Sequence, residues 1–249
     1  MSLNNYANYM IQKHAPNQDE TTMNIIHPEV FVKHRSINLL IGKPGCSKTT
    51  SICKELIKID KVSNSFHLII WVNNTGSDQT LLHYEGLLNI PIIKFTYDQF
   101  EKAYPKYLEI KETYNKMIRN EIPKDESILE CLYLDKFSDK PLETIIVLDD
   151  AVNCLKNESS ILSKSLYKTR HTNCLFFIAI QIWRGIPAQI KSILSSVWIF
   201  NSFSPQILHH IYNQITTDIS FEEFQSVYNK LEKYEKIIFD SITNEIIVD

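Results

Sequence analysis

The sequence predicts an α/β fold with a mainly parallel central sheet flanked by helices, and three observations carry that prediction. Short apolar runs at 37–41, 66–72, 90–95, 144–148 and 174–180 have the length of buried strands. Stretches with helical spacing separate them, which is the arrangement parallel strands need for their crossovers. A loop containing glycine, Gly42 to Thr49, then joins the first run to a stretch that can be helical through Leu56 and Ile57.

That loop reads Gly42, Lys43, Pro44, Gly45, Cys46, Ser47, Lys48, Thr49, with Thr50 after it. Strand, glycine loop, Lys-Thr and helix is the layout of a phosphate-binding loop (P-loop). A triphosphate such as ATP is densely anionic, so the loop has to wrap it with backbone N–H groups at a helix N-terminus. Side chains at the tightest points would block that approach, hence Gly42 at the entry and Gly45 where a positive φ is expected. Lys48 is placed to reach the β- and γ-phosphates, and the Thr49 hydroxyl to ligate Mg²⁺. The chain has five glycines, and two of them lie three positions apart here, which favours a functional loop over a chance turn. Ser47 stands where the pattern has its second glycine; near-helical geometry is expected there, where serine costs little.

A second half-site follows downstream. The apolar run 144–148 ends in Asp149 and Asp150. With a phosphate loop upstream, Asp149 is expected to hold the Mg²⁺ shell and Asp150 to orient and deprotonate an attacking water, which needs a carboxylate at hydrogen-bond range. The other reading is a solvated Asp-Asp turn. The run 174–180 ends in Gln181, either a group that senses the γ-phosphate or positions water, or an ordinary polar strand end. Residues 155–171 carry Lys156, Lys164, Lys168 and Arg170 against one acid, Glu158, which makes this the most basic stretch. It is either a solvated helix face or a contact to a phosphate backbone.

With 249 residues, 44% of them hydrophobic, the chain can bury a full core in one large domain. The expected organisation is a polar, Asn-rich arm over 1–30 and a P-loop domain over 31–249. Within that domain, 98–142 reads as a helical insertion, with Tyr107, Ile110, Tyr114, Met117 and Ile118 at helical spacing, that covers the sheet or, in the other reading, contacts a partner or DNA. Helices are expected over 155–168, from Ser204 to Gln214, and from Phe221 to Tyr234 with Ser220 as N-cap. A hairpin of 236–240 and 244–248 closes the chain. A net charge of −3 excludes a generally basic nucleic-acid coat but not a local basic surface. Cysteines 46, 53, 131, 154 and 174 are scattered and lack metal-ligand spacing, so reduced thiols are expected. No apolar run approaches a membrane span and the first twenty residues are polar, so a soluble intracellular protein is expected.

Taken together, the glycine loop, the Leu-Asp-Asp strand end, Thr169-Arg170-His171 before the strand ending in Gln181, and the Ile-Pro-x-x-Ile segment from Ile186 to Ile190 form an ordered set. An Ile-Phe strand and a final Tyr-rich helix and hairpin complete it. The set resembles the genome-packaging ATPases of poxviruses, virophages and related large DNA viruses, within the FtsK/HerA group, over about 37–248. The resemblance implies a RecA-like sheet with the Gln181 strand between the loop strand and the Asp149 strand. It implies a ring oligomer, a hexamer, that hydrolyses ATP with Mg²⁺ to drive double-stranded DNA into a capsid. It further implies capsid proteins as partners and a location at sites of virus assembly in the host cytoplasm or with the virion. By position Lys48 and Thr49 match the Walker A residues, Asp149 and Asp150 the Walker B pair, and Gln181 the sensor. Ser47 departs from the pattern, as does Lys191, where relatives often carry arginine. The chain has four arginines, at 35, 119, 170 and 184. Arg170 and Arg184 flank the sensor strand and are the leading candidates for a finger that completes a neighbour's site, each read equally well as a surface salt-bridge residue.

Two other readings share these residues: a related DNA translocase outside packaging, and a nucleotide-binding scaffold without turnover. A GTPase would want an Asn/Thr-Lys-x-Asp motif, which is missing. A nucleoside monophosphate kinase would want several lid arginines, and an AAA+ enzyme an arginine after Arg184.

Overall fold

Strands that are apolar along their whole length are satisfied only where both faces are covered. In the computed structural model, which describes residues 25–249 apart from 77, 133, 152–154, 156–159, 216 and the Arg170 side chain, six of the strands are buried end to end or nearly so. The strands are Ile37–Ile41 (β1), Phe66–Asn73 (β2), Ile92–Thr96 (β3), Glu143–Leu148 (β4), Cys174–Ile180 (β5), Ser196–Phe200 (β6), Lys236–Asp240 (β7) and Glu245–Val248 (β8). They form one eight-stranded sheet in the order β3-β2-β4-β5-β1-β6-β7-β8. Neighbours from β3 to β6 are parallel, and the β7–β8 hairpin adds antiparallel to β6. The Gln181 strand, β5, lies between β1 and β4, as the resemblance implies.

The period of two sends alternate residues to opposite faces. On one face the helix Lys48–Val62 (α1) buries Ile52, Cys53, Leu56 and Ile59 against Leu40, Trp71, Phe177 and Trp198, and Leu81 of Gln79–Glu85 (α2) joins them. The other face is covered by Tyr97–Ile118 (α3) through Phe100 and Tyr104, and by Ile161–Tyr167 (α5) through Leu162 and Leu166. Pro205–Tyr212 (α8) and Phe221–Tyr228 (α9) extend that cover with Leu208, Ile211, Phe224 and Tyr228. Short helices Ser127–Cys131 (α4), Thr169–Thr172 (α6) and Ala188–Lys191 (α7) fill the connections.

A capping box starts α3: the Thr96 hydroxyl accepts from Gln99 N, and the Gln99 side chain accepts from Thr96 N. Its first half packs on the sheet. Its second half instead builds a satellite cluster of Tyr114 and Met117 with Ile128, Leu132 and Leu142, so the insertion has a small core of its own. Ser220 caps α9 as expected, with Glu223 completing a capping box. The helix stops at Tyr228 rather than Tyr234. The chain has to reverse there to feed β7 beside β6, and Asn201 holds the reversal through Leu231 O at 2.7 Å and Glu235 O at 3.3 Å. Of the helix expected over 155–168, Ser160 N-caps the α5 part, and much of the remainder falls outside the described residues. The same is true of the arm before residue 25. Cys46, Cys53, Cys131 and Cys174 are free thiols. Among the described residues no helix is long and apolar enough to cross a membrane.

A polar chain closes the amino end of the sheet. Lys111, fully buried in α3, donates to Thr144 Oγ1 at 2.8 Å and to Asn173 O at 2.9 Å. Tyr107 links Thr144 Oγ1 to His67 Nε2, and His67 Nδ1 meets Glu143 O at 2.6 Å. One direction satisfies every group: Nδ1–H donates to the carbonyl and Nε2 accepts from Tyr107. Burial, reinforced by the Lys111 charge, pushes the His67 imidazole down to about 3. Its native state is therefore neutral while the unfolded chain takes up a proton near pH 6.5, so this contribution is intact above pH 6.5 and is lost as pH falls toward 3. Denaturant unfolding is expected to show stability falling by roughly 2 kcal/mol between pH 7 and 5 from this group alone, and His67→Gln is expected to flatten that slope. An unchanged slope in the variant would assign the acid sensitivity elsewhere.

Candidate nucleotide-binding site

Because β1, β4 and β5 are parallel and adjacent, the segments leaving their carboxyl ends emerge at one edge of the sheet, where open α/β folds bind ligands. Gly42 follows β1, Asp149 follows β4 and Gln181 follows β5. A Cβ on Gly42 would collide with Cys46 Sγ and lie 3.0 Å from Phe200 Cβ, so only glycine fits the entry. Gly45 turns the loop with φ +77. The loop is fixed from below by Gly42 N donating to Ile180 O at 3.3 Å and Lys43 N to Ser202 Oγ at 3.1 Å. Tyr228 in turn braces that support, donating to Phe200 O and accepting from Ser202 N. Pro44 is exposed and Thr50 half-buried.

Ser47 departs from the near-helical geometry expected of it. It adopts φ 75, ψ 24, the left-handed region that the missing glycine would occupy without cost. The chain needs that conformation to swing from the loop into α1. The Ser47 side chain makes no cap to the helix, and no acid stands in the first turn. The first N–H groups of α1 are thus left to face an anion. Lys48 Nζ is buried and donates to Gly42 O at 2.7 Å and Lys43 O at 3.1 Å.

Across the cleft, Thr49 Oγ1 donates to Asp149 Oδ2 at 3.1 Å. Gln181 Nε2 donates to Asp150 Oδ1 at 3.1 Å, and Asp150 itself is exposed with φ 59. Burial holds the Asp149 carboxyl above the usual range, with nearby Asp78 pushing the same way and the Thr49 hydroxyl opposing. A half-buried carboxylate beside another acid, with a hydroxyl at hand, is a donor set that a hard divalent cation would satisfy. The Gly42 cradle and the uncapped α1 terminus leave the adjoining space to phosphate. Thr49 and Asp149 could therefore hold a Mg²⁺ ion, and residues 42–50 a triphosphate.

Three neighbours of the site were not among the expected residues. Ser202 supports the loop, Asp78 caps α2 by accepting from Leu81 N at 2.8 Å, and the Tyr97 hydroxyl donates to Asp149 O at 2.8 Å. Only Asp78, a capping residue after turn-forming Asn73–Gly76, carries a local sequence signal. The two candidate fingers part company. Arg184 is exposed in a 3₁₀ turn, Trp183–Gly185, just beyond Gln181. Arg170 lies on α6, before the opposite end of β5 and so about 20 Å away along the strand.

Solved structures share this arrangement of strands and helices. The genome-packaging NTPase of Sulfolobus turreted icosahedral virus 2 in complex with AMPPCP is 14% identical, covering 86% of this chain and 96% of its own, with a TM-score of 0.52. The chain has the P-loop ATPase fold. The same fold, at 14% identity and a TM-score of 0.55, is found in the DNA-packaging ATPase from Sulfolobus turreted icosahedral virus, with 86% and 96% covered. EssC (ATPases 2 and 3) from Geobacillus thermodenitrificans also has it, at 14% identity and a TM-score of 0.56, with 86% of this chain and 39% of EssC covered. No protein-family model and no curated protein sequence matches the chain.

Ser47→Gly tests the strain in the loop. Relief of the left-handed cost, about 1–2 kcal/mol, outweighs the added chain entropy of glycine, about 0.5–1 kcal/mol. Thermal unfolding is expected to shift upward by about 1–4 °C for a chain of this size. A downward shift would show that the Ser47 side chain holds the loop.

Proposed function

We propose that this chain is an ATP-hydrolysing motor subunit that translocates double-stranded DNA into a viral capsid. The observation that carries the hydrolytic part is the pairing of two acids with two different partners: Asp149 with Thr49 of the phosphate loop, and Asp150 with Gln181 of the neighbouring strand. One acid is tied to the place where Mg²⁺ would sit, the other is exposed and aimed by an amide. A scaffold that only holds nucleotide needs the first and not the second.

In this reading Lys48 exchanges its two loop carbonyls for phosphate oxygens, and the first N–H groups of α1 close on the same anion. Mg²⁺, held through Thr49 and Asp149, would neutralise charge on the β- and γ-phosphates. Asp150 accepts the proton of the attacking water while Gln181 holds the carboxylate and the water in line. The water oxygen bonds to the γ-phosphorus as the bond to the leaving ADP oxygen breaks. Arg184 stands exposed at the same edge, where a neighbouring subunit of a ring, a hexamer, can receive it; Arg170 is the second candidate, acting from the other end of β5.

The packaging task draws its support from the viral packaging enzymes among the structures with this fold. We assign the DNA contact to Lys164 and Lys168, which are exposed with Tyr167 along α5 and the turn after it. Such contacts read the backbone and not the bases, so binding is sequence-blind and weakens with salt. Capsid proteins are the further partners, and assembly sites in the host cytoplasm the place. A DNA translocase outside packaging is the second reading, since the fold is also that of the EssC ATPases.

Phosphate release from ATP, with and without long double-stranded DNA, tests the proposal. Turnover is expected to rise with DNA and to fall at least about a hundredfold in Lys48→Ala. ATP binding without turnover, across concentrations that allow rings to form, would overturn it in favour of a scaffold. Packaging is separated from other translocation by capsid-dependent protection of DNA from nuclease. Charge reversal at Lys164 and Lys168 is expected to lower DNA-stimulated turnover about tenfold and to reduce its salt dependence; unaltered stimulation sinks that assignment.

A further inference from the structure

Asp150 has to hold its carboxylate toward Gln181, yet it sits at φ 59, in the left-handed region that aspartate tolerates better than most residues but still occupies less often than negative φ. A peptide group can usually reverse its plane at little cost to the chain on either side. That reversal exchanges negative for positive φ at the residue that follows, as between type I and type II turns. For the peptide joining Asp149 to Asp150, something therefore has to select the less favoured orientation.

The geometry points to Tyr97 as the positioning residue: its hydroxyl donates to Asp149 O at 2.8 Å, which is the carbonyl of that very peptide. The residues on either side are already fixed. Asp149 N donates to Val72 O at 2.8 Å, and Ala151 N donates to Ala179 O at 3.1 Å. Between those two anchors the orientation of one peptide remains, and Tyr97 sets it. Tyr97 is itself held firmly: it is buried in the core as the first residue of α3, directly after the capping box at Thr96. With the carbonyl drawn toward Tyr97, Asp150 takes positive φ and its carboxylate meets Gln181 Nε2. Without that bond the peptide reverses and the carboxylate swings away from the strand tip. Tyr97 therefore acts through Asp150, not on the nucleotide, and links the helical insertion to the proposed chemistry. This role rests on the hydrolytic reading above.

Tyr97→Phe keeps the ring and removes only the hydroxyl. The expected result is a kcat about tenfold lower, the size of one lost hydrogen bond, with KM for ATP and affinity for a non-hydrolysable analogue within about twofold of wild type. In an Asp150→Asn background, where the base is already gone, Tyr97→Phe is expected to add no further loss. A wild-type kcat in Tyr97→Phe, an effect on KM alone, or losses that multiply in the double variant would each overturn the assignment. All variants are assayed below the unfolding midpoint of the least stable one, so loss of the fold cannot stand for loss of chemistry. A wild type without any turnover would instead remove the hydrolytic reading, and the role of Tyr97 with it.

Discussion

The site depends on the register of β1 between its two neighbours, and a buried asparagine fixes that register. Asn38 interrupts an otherwise apolar strand. Its amide donates to Ser36 Oγ at 2.8 Å and Phe176 O at 3.1 Å, and its oxygen accepts from Ser196 Oγ at 2.8 Å. Trp198 Nε1 donates to the same serine hydroxyl. Leucines and isoleucines pack almost equally well after a slip along the strand; a buried amide does not, because every unmet donor or acceptor costs about 1–3 kcal/mol. The bonds from Asn38 reach both β5 and β6, so β1 cannot move relative to either. That fixes Gly42 against Ile180 and Phe200, and hence the phosphate loop against the tips of the strands that bear Gln181 and Ser202.

A second constraint is electrostatic. The cleft gathers Asp149, Asp150 and Asp78 at the ends of adjacent strands, and burial already disfavours the charged form of Asp149. Within the chain the Thr49 hydroxyl and the Lys48 charge are what ease it. A cluster of this kind weakens the fold in isolation and gains stability when a cation arrives, which is a common trade between stability and function. The opposite end of the sheet behaves differently. There Lys111, Thr144, Tyr107 and His67 satisfy one another, and the histidine stays neutral, so that end serves structure.

Much of this was legible in the sequence where a local pattern dictates the outcome. Strands buried on both faces announce themselves as apolar runs, and the loop from Gly42 to Thr49 carries its chemistry in its spacing. The Ser220 cap and the closing hairpin follow from neighbours in the chain. What sequence reasoning missed depends on distant contacts. Ser47 looked like the start of a helix, but its backbone is set by where β1 ends and α1 packs. The extent of α9 is set by Asn201, far upstream. Tyr97, which the sequence reading did not single out, is a core aromatic whose hydroxyl donates to a backbone carbonyl, and a carbonyl leaves no mark on residue identity. The insertion read as a sheet cover gave no hint that its second half would form a separate cluster around Tyr114.

In the proposed ATPase, Lys48 bears on which nucleotides the loop would retain. Its ammonium is not waiting free in the cleft, since it already bonds two carbonyls of its own loop. Capture of a ligand by this lysine is an exchange, and its net gain is the difference between phosphate oxygens and the carbonyls given up. A ligand too short to place oxygens there leaves the old bonds intact and gains nothing from the lysine. On the proposed reading the resting loop would act as a length filter, withholding its strongest contact from any ligand whose phosphate chain does not reach Lys48.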